Sequence, residues 1–105
     1  MASENDELEF PPAHPGAYLR EDIFPALNLT TKDLAKHLGV TRAALSDLMH
    51  EKRSVSIEMA QRLGKAFGNC TRFWLALQLQ HDLWQREQNS RTKVQPINWR
   101  ENRAA

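Results

Sequence analysis

The chain has 105 residues, 14 Lys/Arg against 13 Asp/Glu, and one cysteine, Cys70. That length supports a single domain with one modest core. No run approaches the roughly 18 apolar residues of a membrane span, and the opening MASENDELEF is acidic and polar, the opposite of a signal peptide. A lone thiol without neighbours at ligand spacing forms neither an intrachain disulfide nor a metal site. The expectation is a soluble, cytoplasmic protein with no membrane partner.

The formal net charge of +1 conceals an asymmetry. Residues 1–22 hold Glu4, Asp6, Glu7, Glu9, Glu21 and Asp22 against Arg20 alone, a net of −5, whereas the rest hold 13 Lys/Arg against 7 Asp/Glu, a net of +6. A basic folded part suits a polyanionic partner. Residues 1–13 lack periodicity and carry Pro11 and Pro12, so they read as a flexible acidic arm. Residues 14–88 read as the folded domain and 89–105 as a C-terminal tail.

His14-Pro15-Gly16 is a stop in extended geometry. A first helix is expected over about 16–26, with Tyr18, Leu19, Ile23, Phe24 and Leu27 on its apolar side. Pro25 should kink or end its last turn, and Asn28 should close it in the left-handed conformation. Thr30 followed by Asp33 opens a second helix that ends at Gly39. Thr41 caps a third over about 41–50, and Glu51-Lys52-Arg53-Ser54 forms a charged loop. Ser56 caps a fourth helix to Phe67 that buries Met59, Ala60, Leu63 and Phe67, and Gly68-Asn69 terminates it. There is no comparable strand signal, so the class is all-α.

Within this order, residues 30–50 carry the most specific pattern. Leu34, Leu38, Leu45 and Leu48 are i, i+4 pairs that face a shared core, and Ala35 lets two helices approach at a steep angle. Gly39 tolerates φ > 0 at the turn, and Val40 plugs the corner. Seven positions (34, 35, 38, 39, 40, 45 and 48) fit one template, a helix-turn-helix. The fifth helix, about 71–88, is apolar on two sides: Phe73, Trp74, Leu77, His81 and Trp84 on one, Leu75, Ala76, Leu79 and Leu83 on the other. The first side can close the domain. The second calls for another partner, and a homodimer seam through Leu75, Leu79 and Leu83 is expected ahead of the alternative, a tail with Val94, Ile97 and Trp99 folded back over it.

HPGAYLRED at 14–22, the helix-turn-helix with its Gly39-Val40-Thr41 turn, and RFWLALQLQHDLW at 72–84 occur together in an order that resembles HigA-type antitoxins. The likeness spans about residues 14–88. It implies a five-helix, lambda-repressor-like domain that dimerises, represses its own operator, and neutralises a RelE-type ribonuclease that cuts mRNA on the ribosome. Where members usually carry Ser or Thr followed by Pro-Glu before the fifth helix, this chain has Cys70-Thr71-Arg72, which weakens cap and dipole complementarity there.

With the third helix in a major groove, Leu45 and Leu48 belong to the core, and Thr41, Arg42, Ala43, Ser46 and Asp47 face the bases. Arg42 is the strongest reader, since its fork can bond O6 and N7 of guanine for about 1 to 3 kcal/mol of discrimination. Thr41 and Ser46 can bond a base or phosphate, and Ala43 can meet a thymine methyl. Asp47 can accept from cytosine, although a solvated or Arg-pairing role is preferred. Thr31, Lys32, Lys52 and Arg53 are the expected phosphate contacts. No enzyme, metal or cofactor is expected: His14, His37, His50 and His81 are scattered, and no Cys/His cluster has zinc spacing. Two rival readings are a free-standing regulator without a toxin, and a protein-interaction module that has lost DNA binding. Arg42, Lys52 and Arg53 weigh against the second. For the toxin, the acidic arm would speed encounter, and Phe10, Tyr18 or another buried anchor would supply affinity.

Overall fold

A computed structural model of the chain describes residues 11–88 and 90–102, so the arm residues Glu4, Asp6, Glu7, Glu9 and Phe10 lie outside it. All regular structure among the described residues is helical. Helix α1 is built of Pro15–Tyr18, a widened turn Leu19–Ile23, and Phe24–Leu27. The remaining helices are α2 (Thr31–Leu38), α3 (Arg42–Met49), α4 (Ile57–Phe67), α5 (Thr71–Gln88) and a terminal turn, α6 (Trp99–Asn102).

The starts of α1 to α4 each follow from a polar side chain that supplies an acceptor for an orphan N–H. His14 Nδ1 accepts from Gly16 N at 2.9 Å. Thr30 Oγ1 accepts from Asp33 N at 3.1 Å, Thr41 Oγ1 from Ala44 N at 3.0 Å, and Ser56 Oγ from Met59 N at 3.0 Å. Gly39 ends α2 at φ 76°, and Asn28 ends α1 at φ 55°, both left-handed. Of the two outcomes expected at Pro25, an ended helix or a distorted one, the structure shows the second. Phe24 N–H bonds Leu19 O, a five-residue step that widens the helix by one residue. Pro25 then stands in the first positions of a restarted segment, where its missing donor costs little, and the helix runs on to Leu27.

The core consists of Leu19 from α1, Leu34, Ala35 and Leu38 from α2, Leu45, Leu48 and Met49 from α3, Val55, Met59, Ala60 and Leu63 around α4, and Trp74 from α5. Val40 is half-buried against it, the corner position expected of it. Trp74 is fully buried and donates its indole N–H to Asn69 Oδ1 at 2.7 Å. Tyr18, Phe73 and Phe67 surround it with ring centroids 5.6, 5.5 and 6.3 Å away. Phe67, expected to be buried, is half-buried at the rim of this cluster. Gly16 is the closest approach in the fold: a Cβ on it would lie 1.7 Å from Leu48 O, so the start of α1 rests on the end of α3.

On α5, the face bearing Trp74 and Gln78 is buried, whereas Leu79 and Leu83 are 60% and 48% exposed. Leu75 and Ala76 lie between, half-buried, with Leu75 packed on its own core. Among the described residues the tail leaves this outer face open, with Val94, Ile97 and Trp99 themselves 79%, 77% and 53% exposed. At the other end, the folded part begins earlier than His14: Pro12 is half-buried, and its carbonyl accepts from His81 Nδ1 at 3.1 Å. No helix among the described residues is long and apolar enough to cross a membrane.

Candidate nucleic-acid interface

The outward side of α3 begins with Thr41, Arg42 and Ala43, all exposed, and continues with Ser46 and Asp47, both half-buried. Leu45 and Leu48 are fully buried on the opposite side, which fixes the rotation of the helix and therefore which residues it presents. Arg42 and Lys52 have no ion-pair partner among the described residues, so both charges are available. Thr41 spends its oxygen on the cap, leaving its O–H to donate. Asp47 pairs with Arg53 at 3.6 Å, the Arg-pairing role preferred for it over a base contact, and Arg53 is a residue expected at phosphate. Both side chains are about half exposed, so the pair contributes little and can open. At the start of α2, Thr31 is half-buried and Lys32 exposed, and Thr30 satisfies only the N–H of Asp33. The positive end of the helix dipole and the exposed Lys32 both lie in this first turn, and each favours an anion.

The loop carrying Lys52 and Arg53 is held rigidly. Lys52 N bonds Asp47 O at 2.8 Å and Glu51 N bonds Leu48 O at 3.0 Å, while Glu51 takes a left-handed φ of 62°. This is a Schellman closure with a glutamate where glycine is usual. Arg20 compensates: its guanidinium donates to Met49 O at 2.7 Å and to the Glu51 carboxylate at 3.2 Å, and it also pairs with Glu21. The Glu21 hydrogen bond, reinforced by Glu51, holds the Arg20 pKa above its ordinary value. At the far end of the loop, the buried Gln78 of α5 accepts from Val55 N at 2.8 Å and donates to Asp82 at 3.0 Å. His50 Nδ1 donates to Ser46 O at 2.8 Å, since a carbonyl can only accept.

Arg20, Gln78 and Arg62 were not singled out by the sequence reading. Arg62 donates to Leu38 O at 2.9 Å and closes the C-terminus of α2 from α4. Gln78 had a readable signal, a polar residue four places from Trp74 on the inward face of an apolar helix. The partners of Arg20 and Arg62 lie 29 and 24 residues away, so only the fold reveals them.

The helix-turn-helix family profile matches residues 18–75, more than half of the chain. Virulence-associated protein A' of Dichelobacter nodosus is 44% identical over 87 residues, 82% of this chain and 75% of that protein. Antitoxin HigA-1 of Vibrio cholerae is 33% identical over 73 residues, 70% of this chain and 69% of that one. Among solved structures, antitoxin GraA superposes with a TM-score of 0.79 at 33% identity, covering 84% of this chain and 99% of that chain. Pseudomonas aeruginosa antitoxin HigA, solved with the higBA promoter, gives 0.73 at 29% identity over 82% and 98%. The profile, the relatives and the presented face of α3 agree with the resemblance carried by HPGAYLRED and RFWLALQLQHDLW, and the family is one of binding proteins rather than enzymes. The chain belongs to the helix-turn-helix family and, within it, to the HigA-type antitoxins.

Proposed function

We propose that the protein is a sequence-specific autorepressor and antitoxin that binds its own operator as a homodimer and neutralises a RelE-type, ribosome-dependent mRNA-cleaving toxin. The observation that carries the DNA reading is the exposed N-terminal end of α3, with unpaired Arg42 at its tip and Lys52 on a clamped loop behind it. Thr41, Arg42, Ala43 and Ser46 read bases, with Asp47 able to accept from cytosine once its pair with Arg53 opens; Thr31, Lys32, Lys52 and Arg53 hold phosphates. Relatives of the same fold solved with promoter or operator DNA support the DNA-binding reading.

Arg42→Ala should erase about 1 to 3 kcal/mol of preference for operator over scrambled duplex. Lys52→Ala should weaken both duplexes alike and flatten the log–log salt slope by about 0.9. Equal wild-type affinity for the two duplexes at one salt concentration overturns the reading. The toxin half rests on the family and on its Vibrio cholerae relative, antitoxin HigA-1. Its test is expression of a neighbouring toxin gene with and without this chain: growth arrest that the full chain fails to relieve leaves a free-standing regulator in its place.

A further inference from the structure

Building on the dimer reading above, we propose that the tail of one copy docks beside α5 of a second copy, laying Val94 and Ile97 into the groove formed by Thr71, Arg72, Leu75, Ala76 and Leu79. The groove has a volume of about 430 Å³ on the outer side of α5, and none of the described residues of the same chain fills it. Exposed Leu79 and Leu83 together offer on the order of 200 Å² of apolar surface, far short of the about 800 Å² per partner that a stable interface buries. Val94 and Ile97, at 79% and 77% exposure, add roughly 250 Å² in a stretch with no helix, more than doubling the apolar area available. They stand three residues apart around Pro96, which places both on one side of an extended polyproline-like segment.

Geometry decides which copy's tail reaches the groove. Leu75, Leu79 and Leu83 form a stripe that is symmetric about Leu79, so two copies of α5 crossing antiparallel at Leu79 set each Leu75 against Leu83 of the second copy. The same crossing sets Cys70 opposite Gln88 of the second copy, so the second chain leaves its helix at the Thr71–Arg72 end of the groove. From there it turns along the adjoining row, Arg72 and Ala76. The exposed Cys70 thereby becomes a reporter of the arrangement. Within one copy, Cys70 and Gln88 lie about 27 Å apart along the helix. Four extended residues return at most about 14 Å, so Cys70 and position 92 of the same chain stay well beyond disulfide reach.

The test mixes a tagged wild-type copy with a copy carrying Cys70→Ser and Thr92→Cys, under mild oxidation, and reads the mass of the disulfide product. A mixed disulfide of the two copies is expected, and the double variant Val94→Asp, Ile97→Asp should raise the dimer dissociation constant about tenfold or more in sedimentation equilibrium without lowering helical content. Loss of dimer affinity without the mixed disulfide overturns the exchange. An unchanged constant in the double variant, with Leu79→Asp still dissociating the dimer, overturns the tail's role and leaves the α5 seam standing. A wild type that is monomeric at micromolar concentration overturns both.

Discussion

A proton on His14 is incompatible with the bond that opens α1. The imidazole is 6% exposed, and its Nδ1 must stay bare to accept from Gly16 N, so the neutral ring carries its hydrogen on Nε2. Burial lowers the pKa below the ordinary 6.5, and the neighbouring His81, whose ring meets it edge-on at 5.0 Å, pushes the same way. Arg20 adds to the shift, while Glu51 and Asp82 oppose it and are outweighed. Because the folded pKa is the lower one, the unfolded chain takes up the proton first. Stability contributed by His14 is therefore complete above the unfolded value of 6.5 and is lost as pH falls through the window down to the folded pKa. The urea midpoint should be lower at about pH 5.5 than at about pH 7.5. His14→Asn, which keeps a capping acceptor but cannot titrate in this range, should show a smaller drop; an equal drop would assign the effect to other groups.

Among the elements, the pair that matters most for DNA binding is α1 against α3, because the recognition helix is gripped at its C-terminal end. Gly16 rests on Leu48 O, and Arg20 holds Met49 O. Gly16→Ala drives a methyl into a carbonyl that cannot yield without moving α3, so it should cost about 2 to 3 kcal/mol in equilibrium unfolding. A midpoint unchanged from wild type would mean that the two helices separate freely. The helices themselves were legible in sequence because their causes are local: Thr30, Thr41 and Ser56 cap at short range, and Gly39 and Asn28 take their left-handed turns in the chain itself. Arg42 at the tip of α3 was legible for the same reason. The grip on α3 and on the loop that follows it was not, since Arg20, Gly16 and Gln78 act on residues 23 or more positions away. The form of the distortion at Pro25 was not legible for a related reason: a one-residue widening of the ladder, stabilised by packing of Leu19 in the core, absorbs a residue that would break an isolated helix.

For the whole molecule, one recognition helix touches too little DNA to be selective, and in the homodimer proposed above the exposed stripe on α5 joins two of them. A two-fold dimer places its recognition helices about 34 Å apart, one turn of duplex, and so calls for a palindromic operator. Leu79 is 60% exposed in a single copy, so a charge there leaves the monomer's core untouched and acts only where two copies meet. Leu79→Asp should shift the mass measured by light scattering from dimer to monomer while the thermal transition of the isolated domain stays cooperative. Operator affinity should fall with it, because each half-site would then bind independently instead of through a linked pair. The spacing gives a second check on the wild type: inserting about five base pairs at the operator centre puts the half-sites on opposite faces of the duplex. Affinity should then drop to that of a single half-site, and an insertion of about ten base pairs should restore binding only to the extent that the dimer can stretch across a second turn. Undiminished binding to the five-pair insertion would show that the two recognition helices are not held by a rigid α5 seam.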